Sequence, residues 1–187
     1  DLLLALSQEA CDEYYASLKV DGLLVVDSDL VSRVPSPRAL QLPLTAIAQA
    51  ETGRAITANV VSLGVIVGLT DVVSREAIIQ AVTARAPRGT AESNLRALEA
   101  GFQRASKFKE RSFLETLTQI AERGSIAAVA RLQGAKEETI RNLVRAAAKR
   151  RKTLERILAA EYKLSRAQLD ALWALAFPKG RKGSVIL

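Results

Sequence analysis

The first part of the chain alternates short apolar runs with mixed, helix-like stretches. Residues 1–6 form one apolar run, and residues 23–26 form a second that leads into an aspartate. Runs of this length are typical of buried strands. Between them, a polar and apolar mixture that Ser7 can cap predicts a helix over about residues 8–18. This order predicts a βαβ unit whose two strands are parallel and covered on both faces.

Proline and glycine punctuate the segment that follows. Residues 32–43 contain Pro35, Pro37 and Pro43, which favour a loop or an extended connector, because proline fixes its own backbone and removes a hydrogen-bond donor. A short helix is then predicted from the last of these prolines to about Gly53.

The run NVVSLGVIVGL, residues 59–69, predicts a buried helix. Its glycines, Gly64 and Gly68, lie four residues apart and permit close approach of a neighbouring backbone. A phosphate-binding loop is the alternative, but no GxGxxG or Walker pattern follows a strand here. Two more helices are predicted, one capped by Ser74 and one over residues 90–100 that Gly101 closes. The inward face of the first would consist of Ala77, Ile78, Ala81 and Val82.

From residue 106 onward the pattern is helical. Residues 112–122 predict an amphipathic helix that ends before Gly124, and residues 126–133 predict a second helix. Gly134 then provides a turn into a long helix from 136 to 152 or beyond. The apolar positions of these helices include Phe113, Leu114, Leu117, Ile120, Ile140, Leu143 and Val144.

The last two of these helices have the spacing of a helix-turn-helix motif. In such motifs a small residue lies where the helices cross, a glycine forms the turn, and apolar residues anchor the second helix. Ala130, Gly134, Ile140 and Leu143 occupy these places. Arginine and asparagine on the second helix are suited to base edges and phosphates in a DNA major groove. The residues that we predict to contact DNA are Lys136, Arg141, Asn142, Arg145, Lys149 and Arg150.

Two features oppose this motif. Gln133 and Ala135 flank the glycine where larger apolar residues would fill the core better. Lys136 stands where serine or threonine would cap the second helix, and a cation there opposes the helix dipole. The alternative interpretation is an ordinary helical hairpin whose basic face is solvated.

Charge divides the chain at about the same point as the pattern. Residues 1–105 carry 9 Lys and Arg against 12 Asp and Glu, whereas residues 106–187 carry 18 against 8. A change of sign along one chain suggests two modules with different partners. We therefore predict a partial α/β domain with a mostly parallel sheet over 1–105, followed by an all-α, helix-turn-helix-like module over 106–187.

Composition excludes several classes of function. The chain has no histidine, which removes histidine general-base chemistry, Ser-His-Asp triads and most zinc sites. Its single cysteine allows neither an internal disulfide nor a CxxC metal site, which favours a reducing, cytoplasmic compartment. No apolar run reaches the roughly 18 residues of a membrane span, so no membrane is expected as a partner. We assign no catalytic, cofactor-binding or metal-binding residue in this chain.

Three side chains allow both a chemical role and a simpler structural one. Asp27 and Asp29 follow a predicted strand and could bind magnesium or exchange protons, but such carboxylates more often stay solvated or cap the next turn. Cys11 could be a nucleophile, yet a buried structural thiol is the better interpretation in a chain without histidine.

Several stretches of residues 1–105 resemble one enzyme family. In their order along the chain they are similar to the C-terminal part of the γ subunit of 2-oxoacid:ferredoxin oxidoreductases, which include pyruvate and 2-oxoglutarate oxidoreductases. The resemblance covers these residues without a large gap. Its most specific pieces are Ser7-Gln8-Glu9-Ala10, Asp27-Ser28-Asp29-Leu30, Asn59 with Gly64, and Asn94-Leu95 with Ala97.

This resemblance implies an α/β domain that packs on other subunits of a complex. The complex oxidatively decarboxylates a 2-oxoacid with coenzyme A, and its thiamine diphosphate and iron–sulfur clusters belong mainly to the partner subunits. This chain itself is therefore expected to bind no cofactor. The family normally begins with a glycine-rich strand–loop–helix, which is missing here, so we expect an incomplete sheet with an exposed parallel edge.

The basic half resembles a second family, the small insertion-sequence transposases, in their N-terminal helix-turn-helix. The segment GSIAAVARLQGAKEETIRNLVRAAAKR carries this resemblance, followed by QLDALW and the basic residues 178–183. Asp170 and Trp173 match a D-E-L-W-like string in which Ala171 replaces the glutamate, and the other metal-binding carboxylates of the family are absent. A small apolar face is the better interpretation of Leu169, Leu172, Trp173 and Phe177.

Three functions remain open from the sequence, in this order. In the first, the chain is an accessory γ-type subunit or fragment of a 2-oxoacid:ferredoxin oxidoreductase, acting on the oxo group of 2-oxoacids, with a fused helical module. In the second, it is a DNA-binding protein derived from a transposase. In the third, it is a fusion of two gene fragments without a dedicated activity. The expected partners are the other oxidoreductase subunits, or duplex DNA through residues 106–187.

Overall fold

The computed structural model describes residues 1–20, 22–70 and 72–176. Two compact units are present, one over residues 1–109 and one from residue 110 onward. The first contains strands β1 (Leu2–Ala5), β2 (Leu23–Asp27) and β3 (Leu40–Leu42) and helices α1 (Gln8–Tyr14), α2 (Leu44–Thr52), α3 (Ala58–Thr70) and α4 (Arg75–Arg85). Helix α5 (Ala91–Arg123) contributes to both units. The second also contains α6 (Ile126–Gln133), α7 (Glu137–Ala148), α8 (Arg151–Glu161) and α9 (Arg166–Ala174).

The three strands form one parallel sheet in the order β1-β2-β3. Leu2 pairs with Leu23 across β1 and β2, and Val25 pairs with Leu40 across β2 and β3. Helix α1 connects the first two strands, and the side chain of Ser7 caps its N-terminus. The predicted βαβ unit with parallel strands is therefore confirmed.

Helices cover both faces of this sheet, because successive strand residues point to opposite sides. On one side, alternate strand residues pack on α2, α3 and α5 in the main core of the unit. On the other side, Ala5, Leu24 and Val26 pack with Cys11 of α1. The adjacent residues Val25 and Val26 are both fully buried, as expected of a central parallel strand.

A third strand lies inside the predicted connector, residues 32–43. β3 pairs with β2 and places Leu40 in the core. Pro35 and Pro37 do lie in an irregular loop, and Pro43 follows β3 directly. A strand of three residues is too short for a period-two pattern to stand out in the sequence, so its pairing with β2 decides it.

Gly64 of α3 and Gly101 of α5 lie in contact, and neither has room for a side chain. A Cβ on Gly64 would be 2.2 Å from the carbonyl oxygen of Leu98, and one on Gly101 would be 2.1 Å from that of Val61. The predicted close approach at Gly64 is therefore confirmed. The predicted helix end at Gly101 is wrong, because α5 continues to Arg123. Here glycine serves helix packing and not a left-handed cap.

Helix α4 begins as predicted, with the Ser74 hydroxyl accepting a hydrogen bond from the backbone N–H of Ala77. Its inward face is rotated from the prediction, since Ala77 and Ala81 are exposed. Larger apolar side chains take the inward positions, because they bury more area against α3 and α5. These half-buried residues are Ile78, Ile79 and Val82.

The second unit has its own core, to which α5, α6, α7, α8 and α9 all contribute. α5 ends before Gly124, whose φ is 63°, and the Ser125 hydroxyl then caps α6. Leu117, Val129 and Leu172 are fully buried at the centre of this core. These helix ends agree with the prediction from glycine and serine positions.

The long helix predicted from 136 to 152 or beyond is wrong. α7 ends at Ala148, and α8 begins at Arg151. Between them Arg150 leaves the helical region, with φ −116° and ψ 25°. No glycine or proline marks this break in the sequence. The break lets Val144 of α7 and Leu158 of α8 enter one core.

Candidate functional site

Asp27 lies at the carboxyl end of β2 and is fully buried. One carboxylate oxygen accepts hydrogen bonds from the backbone N–H groups of Asp29 and Leu44, at 3.0 and 3.1 Å. The other accepts from the backbone N–H and the hydroxyl of Thr45, at 3.0 and 2.6 Å. Both oxygens are thus occupied by donors of the protein, as burial of a charged group requires.

Asp29 completes the same arrangement. Its carboxylate accepts a hydrogen bond of 2.8 Å from the backbone N–H of Ala46. Pro43, the N-cap residue of α2, provides no side-chain cap. The two aspartates therefore cap α2 from the end of β2 and the turn after it, and their negative charge interacts favourably with the positive N-terminal end of the helix dipole. This supports the structural interpretation of the pair over magnesium binding or proton exchange.

Gln8 is a connecting residue that the sequence interpretation missed. Its side-chain oxygen accepts hydrogen bonds from the backbone N–H groups of Ser32 and Arg33, at 3.1 and 3.0 Å. Its side-chain nitrogen donates to the carbonyl oxygen of Arg33 and to Asp12. The residue fixes the loop after β2 on α1. Its place in the quoted Ser7-Gln8-Glu9 stretch was the only signal for it.

Cys11 is buried in the small core between α1 and the sheet. Burial, with a smaller contribution from Asp12, raises the pKa of its thiol. A raised pKa keeps the sulfur protonated, and the thiol is a poor nucleophile. The geometry supports a structural role.

The six residues predicted to contact DNA lie on α7 and beside its two ends, and their cations differ in whether they are already paired with a carboxylate. Arg145 donates to Glu138 at 3.0 Å and to Asn142 at 3.1 Å. Arg141 lies 3.7 Å from the same glutamate. Both arginines therefore share one carboxylate. The remaining cations of the set are exposed, namely Lys136, Lys149 and Arg150. None of them forms an ion pair within residues 1–20, 22–70 and 72–176.

The turn before α7 has the local geometry that the motif requires. Gly134 has a φ of 66°, and its N–H donates to carbonyl oxygens at the end of α6. Ala130 and Ile140 are buried on either side of this turn, and Leu143 is half-buried. Lys136 makes no capping hydrogen bond, as the sequence indicated. Motif and ordinary hairpin share these features, so they do not separate the two interpretations.

Asp170 is engaged in an ion-pair network between α8 and α9. It accepts from Arg151 at 3.2 Å and lies 3.3 Å from Arg166. Glu155 completes the network, and its hydrogen bond with Arg151 lowers the pKa of its carboxyl group. Trp173 is buried beneath, with Arg151 6.0 Å from the ring centre. The apolar face of α9 is confirmed for the residues described, while Phe177 and residues 178–183 lie outside them.

No group of three or more Cys, Asp and Glu side chains in the described part of the chain is placed to hold a metal ion. No single helix described here is both long and apolar enough to cross a bilayer. One bent pair, Leu44–Thr52 with Ala55–Thr70, meets the length and composition limits at an angle of 119°, as buried core helices also do.

Residues 1–104 match the protein family described as "Pyruvate ferredoxin/flavodoxin oxidoreductase". The match covers more than half of the chain. The chain belongs to this family.

Relatives of this oxidoreductase-family chain include the 2-oxoglutarate synthase subunit KorC of Methanocaldococcus jannaschii. That protein is 39% identical over 111 residues, which cover 57% of this chain and 59% of the relative. KorC of Methanothermobacter thermautotrophicus is 35% identical over 109 residues, covering 54% and 58%. The chain thus spans about three fifths of the length of these relatives.

A solved structure is similar over the same share of this chain. It is the crystal structure of the γ subunit of keto/oxoacid ferredoxin oxidoreductase from Geobacter sulfurreducens PCA. The two share 46% sequence identity with a TM-score of 0.55, and the match covers 57% of this chain and 64% of the other. A small parallel sheet with many helices, of the γ-subunit type, is therefore confirmed.

Other parts of the sequence interpretation receive no such support. The family match lies in the N-terminal part of this chain, which corrects our expectation of a C-terminal part of the γ subunit. The resemblance of the basic half to a transposase is not shown, and a separate helix-turn-helix module is not confirmed. DNA binding stays a prediction.

Proposed function

We propose that this chain acts as a γ-type subunit of a 2-oxoacid:ferredoxin oxidoreductase complex. The observation that carries the proposal is the family match over residues 1–104, with 46% identity to a solved γ subunit over much of the same fold. The structural roles of Asp27, Asp29 and Cys11 support it, because they give these three side chains a place in the scaffold of a γ-type domain.

Cofactors and partners follow from the same proposal. The complex would oxidise a 2-oxoacid with coenzyme A, using thiamine diphosphate and iron–sulfur clusters held by its other subunits. The curated relatives named above are 2-oxoglutarate synthase subunits, which favours 2-oxoglutarate over pyruvate as the substrate. The single cysteine, which is free and buried, fits a reducing compartment and therefore a cytoplasmic location.

Reconstitution tests this function. The chain is co-expressed with α- and β-type subunits from the same source, and the expected result is co-elution with 2-oxoacid-dependent and coenzyme A-dependent reduction of ferredoxin. Initial rates with 2-oxoglutarate and with pyruvate then report the substrate. Absence of both co-elution and activity would contradict the proposal.

DNA binding by the second unit is a second candidate function. One observation favours it, namely the exposed cations beside the two ends of α7, which make no ion pair within the described residues: Lys136, Lys149 and Arg150. The shared pairing of Arg141 and Arg145 with Glu138 weakens it, because their charge is partly neutralised.

A gel-shift experiment with duplex DNA tests this second function. Salt-dependent binding that is lost in the Arg141→Ala/Arg145→Ala double variant supports base or phosphate contact by α7. The matched control is Arg111→Ala/Arg123→Ala, which removes two cations from α5. Equal binding by wild type and by the α7 variant would remove both arginines from the proposed contact.

A further inference from the structure

A groove of about 420 Å³ opens on the first unit along α5. Residues from three helices line it, with Glu51 from α2, Ile79 from α4 and positions 92 to 103 of α5. Those eleven residue steps extend over about 16 Å, or three helical turns. The groove is therefore long enough to receive a short helix.

The inner part of the groove is apolar. Leu98 and Phe102 form its buried floor, at 1% and 6% exposure. Ile79 and Leu95 line the groove and are half-buried. Apolar side chains of this kind accept one or two large aliphatic or aromatic anchors from a partner.

The rim of the groove is acidic. Glu51, Glu92 and Glu99 face a single arginine of the lining, Arg96, which pairs with Glu92 at 3.1 Å. Arg75 reaches in from α4 and pairs with Glu99. Three carboxylates against two arginines leave a net negative charge at the rim, which complements a cationic partner.

Of the three carboxylates at the rim, Glu51 is the one that forms no ion pair within the described residues. Its position in α2 is also electrostatically unfavourable. It lies in the last turn of α2, whose C-cap is Gly53, and no basic residue stands in that turn. The C-terminal end of a helix dipole repels a carboxylate and attracts a cation. A residue that breaks a local rule without compensation inside the fold is typical of a binding site.

We propose that this groove docks an amphipathic helix of another subunit of the oxidoreductase complex, with an apolar anchor flanked by lysine or arginine. The anchor would lie on Ile79 and Leu95, the half-buried apolar residues of the lining, and a cation would pair with Glu51 at the end of α2. This interaction surface rests on the proposed function, since that function supplies the partner. It follows the helix-in-groove mode of recognition.

Two single variants of the full chain test the surface against co-expressed α- and β-type subunits. Glu51→Lys should weaken association at least about tenfold, because it replaces attraction by repulsion. It should also raise the chain's own melting temperature slightly, because it removes a carboxylate from a helix C-terminus. Leu95→Arg should weaken association by blocking the anchor.

Matched controls come from α1, which lies outside the groove. Glu13 is an exposed carboxylate in the second half of α1, and Tyr14 is an aromatic residue with 50% exposure. Glu13→Lys repeats the charge reversal there, Tyr14→Arg repeats the introduction of an arginine, and both should leave association unchanged. Complex formation should slow backbone amide hydrogen exchange at residues 92–103 of α5 and leave the exchange rates of α1 unchanged.

The outcomes separate this proposal from the function on which it rests. If wild type does not associate with the other subunits, both fail. If wild type associates and the two groove variants associate equally well, the groove proposal alone fails. If light scattering shows that Glu51→Lys converts a dimer of the isolated chain into a monomer, the occupant is a second copy and the proposed partner is wrong.

Discussion

Buried polar side chains show how single residues in this chain obtain their roles. Asp27 has no exposed surface, and four protein donors replace the water that a carboxylate would otherwise bind. The side-chain oxygen of Gln8 similarly accepts hydrogen bonds from two backbone N–H groups of the loop after β2. The sequence showed that these residues are polar and where they lie along the chain. It could not show which donors meet them, because the partners of Asp27 are up to 18 residues away.

Replacing Asp27 tests this capping role. Asp27→Asn places an amide nitrogen against backbone N–H donors and removes the charge at the start of α2. We expect a loss of about 1–3 kcal/mol in the free energy of unfolding. Urea denaturation measures it. Asp29→Asn is the matched control, and it should cost less because that residue is exposed.

Cys11 should resist alkylation in the folded protein. Burial raises the pKa of its thiol, so little thiolate is present near neutral pH. We expect modification by iodoacetamide at pH 8 to be at least about tenfold slower than in urea, as followed by mass spectrometry. Equal rates in the two conditions would show that the thiol is accessible.

Glu155 should give the second unit a pH-dependent contribution to stability. Its pKa lies below the ordinary value of 4.5 because of its hydrogen bond with Arg151. A carboxyl group whose pKa is lowered in the folded protein stabilises the fold at pH values above its ordinary pKa. This stabilisation is lost as the pH falls through the lowered pKa. Glu155→Gln should therefore cost about 1 kcal/mol at pH 7 and much less at low pH. Urea denaturation at several pH values measures this, with Glu110→Gln as an exposed control.

At the scale of elements, glycine is the residue whose meaning depends most on its surroundings. Gly53, Gly124 and Gly134 have positive φ and follow helix ends, as the sequence predicted. Gly101 is identical in type but lies inside α5, where Gly64 needs it. The break between α7 and α8 likewise could not be predicted from residue type, because no glycine or proline lies there.

The crossing of α3 and α5 can be tested with Gly64→Ala. Helix propensity alone would favour alanine by about 1 kcal/mol. The new Cβ would instead lie 2.2 Å from the carbonyl oxygen of Leu98, which is backbone and cannot rotate away. We expect a net loss of about 1–3 kcal/mol in the free energy of unfolding, measured by urea denaturation.

Gly124→Ala provides the comparison for this variant. Its backbone has a φ of 63°, and no atom lies within 4 Å of a Cβ placed there. The cost should be about 1–2 kcal/mol and come from the backbone alone. A stabilising effect of Gly64→Ala would contradict the close crossing.

At the scale of the whole molecule, the change in charge near residue 105 coincides with the end of the family match at residue 104. The first unit belongs to an oxidoreductase family, and the second has a separate core built from α5 to α9. Apolar clusters that close within each unit are consistent with units that fold independently.

Residues 106–187 expressed alone should therefore form a soluble helical unit. Their core residues all lie within the fragment, from Leu114 to Ala176. Circular dichroism should show the double minimum of an α-helix with a cooperative thermal transition, and a spectrum without it would refute independent folding. Residues 1–105 alone should be less soluble, because β1 and β3 are edge strands.

The sequence by itself determined the βαβ start of the first unit, the capping serines, the glycine turns at helix ends and the charge of each half. These depend on residues close together along the chain, and the backbone preferences of serine, glycine and proline express them directly. Tertiary structure alone decided the strand β3, the passage of α5 through Gly101, the break after Ala148 and the acidic groove along α5. Each of these depends on which distant surface an element meets, and that free energy is not encoded in any local pattern.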